Sequence, residues 1–252
     1  MAPIIRVDNL RKCFDSQVAV DGVSFEVRAG QVFGLLGPNG AGKTTTLEML
    51  ETLLEPDEGS IIIDGIDARR EPWAVRARIG VLLQQSSFHP HLTLVELLRM
   101  FSALYQVRGD PEASLRHVQL LDKRHSTFDR LSGGQRQRFS IAVALVNQPR
   151  VVFLDEPTSG LDPQSRHHLW ELIRRVRDEG TTVVLTTHYM DEAEQLCDQL
   201  AILDGGRIVR MAPPVQLVDE LVASGFRRPV QPRAATLEDV FLHLTGKQLR
   251  EG

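Results

Sequence analysis

The sequence predicts an α/β fold with a mostly parallel core sheet. Three observations carry this. Short apolar strands alternate with helix-length segments along most of the chain, the pattern of strands joined by crossover helices. A glycine-rich loop lies between one such strand and the next helix. A block of helical periodicity then interrupts the alternation, which marks an inserted helical subdomain.

Residues 4–10 and 23–27 alternate apolar and polar positions and read as strands. Residues 31–36 form a short apolar strand that runs into Gly37. Residues 44–54 follow as a helix, stopped by Pro56 and Gly59. Residues 60–63 with Asp64-Gly65 give a strand and a turn. Residues 79–83 are another buried strand. From about 92 to 121 the apolar residues fall at helical spacing, with a break at Gly109-Asp110-Pro111. Strands return at 151–154 and 182–187. Residues 201–203 and 207–209 flank Asp204-Gly205-Gly206, a hairpin signal. A short helix follows Pro213-Pro214, and residues 236–244 read as a capped helix.

The bulk numbers exclude several classes. The chain has 252 residues, 42% hydrophobic and 25% charged, with a net charge of −4. That is the profile of a globular protein with a core of useful size, and it gives no sign of a nucleic-acid partner. Cys13 and Cys197 are far apart and read as two reduced thiols. The first ten residues lack a signal-peptide core. No apolar run approaches the roughly 18 residues that span a bilayer, so any membrane passage falls to another chain.

Gly37-Pro38-Asn39-Gly40-Ala41-Gly42-Lys43-Thr44 fits G-x-x-x-x-G-K-[ST]. Glycines let the backbone curl so that its N–H groups face phosphate oxygens. Lys43 brings a point charge to the β- and γ-phosphates, and Thr44 offers its hydroxyl to Mg²⁺. A chance match recurs in on the order of one chain in a hundred. Here the motif also follows a strand and opens a helix, so we read it as a nucleoside triphosphate site, with ATP as the ligand.

Residues 151–154 are apolar and end in Asp155-Glu156. A buried central strand would carry Asp155 to its C-terminal end, where ligands sit in open α/β sheets. Asp155 would hold Mg²⁺, and Glu156 would orient or deprotonate an attacking water. Leu131-Ser132-Gly133-Gly134-Gln135 precedes the apolar helical run 139–146. By itself this segment reads equally as an anion site at a helix N-terminus or as a plain N-cap.

Taken in this order, the phosphate loop, Leu-Ser-Gly-Gly-Gln and Leu154-Asp-Glu-Pro-Thr-Ser-Gly-Leu-Asp162 resemble the ATP-binding subunits of ABC transporters, over nearly the whole chain. The resemblance implies a P-loop NTPase fold of the ABC ATPase kind: a mostly parallel core sheet, an antiparallel β subdomain and an inserted α-helical subdomain at about 85–147. It implies a nucleotide-binding domain over 1–223 and a short C-terminal extension over 224–252. Gln84 looks like the glutamine that touches Mg²⁺ and faces the transmembrane partner. His188, after the strand 182–187, looks like the switch histidine that contacts the γ-phosphate. Asp162 resembles the carboxylate that braces the contact between subunits. Phe14 stands where an aromatic ring stacks on adenine, a place where tyrosine is commoner. Thr45 joins the nucleotide contacts beside Thr44.

The resemblance also implies that Leu131–Gln135 completes the ATP site of a second, head-to-tail subunit, in a homodimer or a heterodimer docked on a separate membrane permease. The implied place is the cytoplasmic face of a bacterial membrane. The stretch Phe33–Thr46 around the phosphate loop is similar to exporters of the antibiotic and multidrug-resistance type, as are Glu192-Ala-Glu-Gln-Leu-Cys-Asp198 and the tail Ala235–Gly246 with its Leu237-Glu-Asp-Val-Phe241. Two other readings compete. DNA-maintenance ATPases of this kind carry a long coiled coil between Gln84 and Leu131, where only 46 residues lie; translation factors usually carry two such modules. Importer ATPases often have a larger C-terminal domain. A guanine-specific Asn-Lys-x-Asp motif does not occur.

Overall fold

The computed structural model describes residues 2–15, 17–82 and 88–226. The chain packs as two units, Met1–Gln216 and Leu217–Gly252. The first holds two sheets. The antiparallel sheet combines β1 (Ile5–Phe14), β2 (Gln17–Val27), β4 (Glu58–Ile63) and β5 (Ile66–Asp67) in the order β2-β1-β4-β5. The six-stranded sheet combines β3 (Val32–Leu36), β6 (Ile79–Leu82), β7 (Val151–Asp155), β8 (Thr182–Thr187), β9 (Gln199–Asp204) and β10 (Arg207–Ala212) in the order β10-β9-β3-β8-β7-β6. Only the β9–β10 pair is antiparallel.

The predicted α/β class, the parallel core and the antiparallel sheet are all present. Strand character explains the division. Every residue of β3, β7 and β8 is buried, as expected for strands covered on both faces. In β2 from Val23 onward, buried and exposed positions alternate, because only one face meets the core. Between the sheets lies one hydrophobic core, in which Phe25 of β2 stacks on Phe33 of β3 at 4.9 Å between ring centroids.

Both predicted hairpin turns form with two residues. Ile63 pairs with Ile66 around Asp64-Gly65, and Asp204 pairs with Arg207 around Gly205-Gly206. All four turn residues have positive φ, which matches the twist of the flanking strands. The first two strands are longer than predicted: β1 continues to Phe14 and β2 starts at Gln17. Irregular pairing at Leu10–Cys13 breaks the alternation there, so the periodicity faded before the strand did.

Helix α1 (Lys43–Leu50) is shorter than the predicted 44–54. Thr52 turns left-handed at φ 60°, and the N–H groups of Leu53 and Leu54 fold back onto Glu48 O. The helix thus closes on its own carbonyls before Pro56 is reached. Helix α2 (Pro72–Arg76) is a single turn.

The inserted block contains α3 (Leu94–Leu104), α4 (Pro111–His117) and α5 (Gly133–Ala144). Asp110 caps α4 by accepting from Glu112 N and Ala113 N, which explains the break at Gly109-Asp110-Pro111. The run predicted to be helical to Val146 ends at Ala144, where the last turn closes with Leu145 N on Ile141 O. Phe88, Phe101, Phe128 and Phe139 make edge and tilted ring contacts and tie this block together. Helices α6 (Pro163–Asp178) and α7 (Met190–Leu196) flank β8. Helix α8 (Pro214–Ala223) is the predicted short helix after the proline pair. The predicted helix at 236–244 lies outside the described residues.

Candidate nucleotide site

The site sits where the ends of neighbouring strands converge. In the sheet, β3 pairs with β8 and β8 with β7, all parallel. The loop after β3, the acidic pair after β7 and the histidine after β8 therefore emerge side by side. This is the carboxyl edge at which open α/β sheets bind ligands.

The loop is built by its glycines. Gly42 has φ 93°, and a Cβ there would meet Ala19 O at 2.4 Å. No other residue fits both the left-handed turn and the close approach. Gly42 then serves as N-cap of α1, so the open N–H groups of that helix face the loop. Thr46 Oγ1 donates to Gly42 O and anchors the turn from behind.

Lys43 is 5% exposed. Its Nζ donates to Gly37 O at 2.8 Å and to Pro38 O at 3.0 Å, and lies 3.8 Å from Glu156 Oε1. Burial pushes its ammonium below the usual lysine value, while Glu156 and Asp155 pull it back up. The geometry is that of a cation held by two loop carbonyls beside one carboxylate.

Asp155 ends β7 and is 6% exposed. Both of its carboxylate oxygens lie 3.4 Å from Thr44 Oγ1, beyond the usual O–H···O distance. The two groups face each other across a gap rather than making a tight bond. Glu156 has a positive φ of 44°, a strained conformation for a residue with a side chain. Its Oε1 lies 3.1 Å from His188 Nδ1. Tyr189 packs against the His188 ring at 4.1 Å between centroids with the planes tilted by 37°, and the Arg166 guanidinium covers Tyr189.

An open cleft of about 400 Å³ is lined by Phe14, Gln17, Ala19, Asn39, Gly40, Gly42, Lys43, Thr44, Thr45 and Glu156. Phe14 is 46% exposed and lies on its wall. A larger cavity, about 500 Å³, opens elsewhere among His117, Gln148, Arg150 and Thr181 and touches none of the motif residues. We assign the nucleotide to the smaller cleft because, unlike the larger cavity, it combines the glycine loop, a buried cation and a carboxylate that follows a strand.

Leu131–Gln135 and Asp162 do not line that cleft. Ser132 caps α5: its Oγ accepts from Gln135 N, and Gln135 Oε1 accepts from Ser132 N. Gly134 packs so closely on α6 that a Cβ would lie 2.6 Å from Ser165 Oγ. Asp162 caps α6 by accepting from Ser165 N at 2.9 Å, and hydrogen bonds from Ser165 hold its carboxyl below the usual range. The Leu131–Gln135 segment and the start of α6 are thus neighbours. Gln84 lies outside the described residues.

Sequence reading missed Thr186. This fully buried hydroxyl of β8 donates to Asp155 Oδ1 and accepts from Glu156 N at 3.0 Å. Its only signal was a threonine pair, Thr186-Thr187, after the apolar run Val183–Leu185. Gln17 and Ala19 were also missed as cleft-wall residues.

The family profile described as ABC transporter matches residues 20–159, which spans the loop, Leu131–Gln135 and the acidic pair. The chain belongs to the ABC transporter family. Its curated relatives include the Nod factor export ATP-binding protein I of Ralstonia nicotianae, 37% identical over 99% of this chain and 96% of that one. The protein of the same name from Paraburkholderia xenovorans is 38% identical over 98% of each. Among solved structures, an ATP-binding subunit of an ABC transporter superposes with a TM-score of 0.76, at 29% identity, over 96% of this chain and 99% of that one. A dimeric ATP-binding cassette in a post-hydrolysis state with ADP and Pi gives 0.74 at 27% identity, over 83% and 98%. This ABC protein is therefore the ATP-binding, ATP-hydrolysing subunit of a transporter. Among the described residues, no helix is long and apolar enough to cross a membrane.

Proposed function

We propose that the chain powers export. Two copies, or this chain and a relative, would close head to tail on two ATP molecules beneath a separate permease, on the cytoplasmic face of a bacterial membrane. The observation that carries the reading is the convergence of Lys43, Thr44, Asp155, Glu156 and His188 at one sheet edge. Relatives named for Nod factor export support the direction. The Leu237–Phe241 tail supports the antibiotic and multidrug-resistance branch, with cargo chosen by the permease. The match to a dimeric cassette supports the pairing. We keep residues 1–223, with the helical subdomain at 85–147, as the nucleotide-binding domain and 224–252 as an extension.

In this reading Phe14 stacks on adenine, the N–H groups of the loop 37–45 hold the phosphates, and Lys43 neutralises the β- and γ-phosphates. Glu156 orients the attacking water or takes its proton, and His188 bonds the γ-phosphate while holding Glu156. Catalysis is positioning and charge stabilisation. Mg²⁺ fits the residues present: Thr44 and Asp155 offer hard oxygens facing each other at 3.4 Å, and Gln84 would join them. The described residues contain no cluster of three or more carboxylate, histidine or cysteine groups able to hold a metal. That suits an ion that draws most of its shell from phosphates and water. When bound, it would neutralise charge on the transferring phosphate.

Ser132, Gly133 and Gly134 would act in trans on the partner's ATP, with Leu131 and Gln135 shaping the turn and Asp162 bracing the contact. Glu156→Gln tests this. The variant should bind ATP, lose turnover by orders of magnitude, and form a dimer in ATP by light scattering. A monomer in saturating ATP would overturn the sandwich. Purified from membranes with ATP, the variant should carry the permease; a protein absent from those membranes would favour an ABC ATPase uncoupled from transport.

A further inference from the structure

We infer that Thr186 is a positioning residue for ATP hydrolysis, acting on both carboxylates of the acidic pair at once. The inference rests on the reading above, in which Asp155 faces Mg²⁺ and Glu156 faces the attacking water.

Strands β7 and β8 run parallel with Asp155 opposite Thr186. Facing residues of adjacent strands point to the same side of the sheet. The hydroxyl therefore lies beside the carboxylate at the strand ends, and Thr186 is 0% exposed. Its two hydrogen bonds leave no freedom of direction. Asp155, when ionised, only accepts, and the Glu156 N–H only donates. Thr186 Oγ1 must give its proton to Asp155 Oδ1 and receive from Glu156 N.

Each bond has a consequence. The first fixes the Asp155 carboxylate in the orientation that presents it to Thr44 Oγ1. The second captures the N–H at the point where the chain leaves β7 with the strained φ of 44° at Glu156. Such a conformation persists only where its surroundings over-determine it, and this bond is one such restraint. From there the Glu156 side chain reaches both His188 Nδ1 and Lys43 Nζ. One buried hydroxyl thus sets the direction of the Asp155 carboxylate and the backbone turn at Glu156. Thr187, its neighbour, does different work: its Oγ1 accepts from Tyr189 N and shapes the turn carrying His188.

The test compares Thr186→Val, Thr186→Ala and Thr186→Ser. Removing such a supporting partner typically costs about 10–100-fold in metal affinity or activity. Valine and alanine, of different size, should both lower kcat by that factor, while serine, which keeps the hydroxyl, stays near wild type. A second readout is binding. By calorimetry, ATP affinity in EDTA should be unchanged in all three, and the gain in affinity on adding Mg²⁺ should shrink in valine and alanine only. Alanine and serine behaving alike, or valine matching wild type, would overturn the assignment. If valine does not fold, the alanine–serine pair still decides. Asp155→Asn, run in parallel, separates the layers. If it keeps both full turnover and the Mg²⁺-dependent gain, the site reading itself fails. If it loses both while the valine and alanine variants keep them, only Thr186 falls.

Discussion

Replacing Glu51 by glutamine should make the protein more stable at neutral pH and leave it nearly unchanged in acid. Glu51 closes α1 and is 3% exposed, and its Oε1 has no hydrogen-bond partner among the described residues. Burial pushes its carboxyl up to about 8 from an ordinary 4.5, with Asp155 and Glu48 adding to the shift. The folded state therefore keeps a proton that the unfolded chain releases between those two values. Where the folded state binds more protons, stability falls as pH rises. The loss begins near the unfolded value and is complete near the folded one. One pH unit inside that window is worth about 1.4 kcal/mol, so the wild type should lose roughly 2.5 kcal/mol between pH 5 and pH 7 from this group. Glutamine carries no such penalty. Its advantage should be under about 1 kcal/mol at pH 5 and about 3 kcal/mol at pH 7. At roughly 2–4 °C per kcal/mol for a domain of this size, the neutral-pH melting midpoint should rise by about 6–12 °C. Thermal melts of both proteins by circular dichroism, from pH 5 to pH 8, give the difference directly. A difference that is constant with pH would refute the reasoning, since Glu51 would then ionise alike in both states.

Two further outcomes are expected from the site. Lys43→Ala removes a buried cation worth about 1.5–3 kcal/mol of charge-assisted bonding, so ATP affinity by calorimetry should fall roughly tenfold to over a hundredfold; unchanged affinity would remove Lys43 from the phosphate site. Ser132→Ala deletes the cap of α5, costing about 1 kcal/mol. If Ser132 also works on the partner's ATP, turnover should fall well beyond what a melting shift of about 2–4 °C explains; turnover that merely tracks the folded fraction would leave it a cap alone.

What could be read from the sequence was local. The loop 37–44 declares itself because its glycine spacing is imposed by a turn only a few residues long. The apolar run before Asp155 declares a buried strand for the same reason. Thr186 could not be found, because its partners are 30 and 31 residues away and meet it only through sheet pairing. Glu51 falls unremarked inside the predicted helix 44–54, since nothing along the chain reveals that the end of α1 is covered. The early end of α1 was missed because the left-handed residue is threonine, not the expected glycine. The break at Gly109-Asp110-Pro111 and both two-residue turns were legible, since aspartate, glycine and proline are the residues those geometries select.

The strand order has a consequence for how the protein is made. Val32 of β3 pairs with Val183 of β8 and Phe33 with Gln199 of β9. At roughly 5–20 residues per second, translation leaves β3 without either neighbour for about 8–30 s. Throughout that interval β3 waits unpaired, and the acidic pair, though made earlier, has no β8 to set it beside the glycine loop. The catalytic edge is therefore among the last parts of the first unit to assemble, and a nascent chain that ends before His188 cannot complete it.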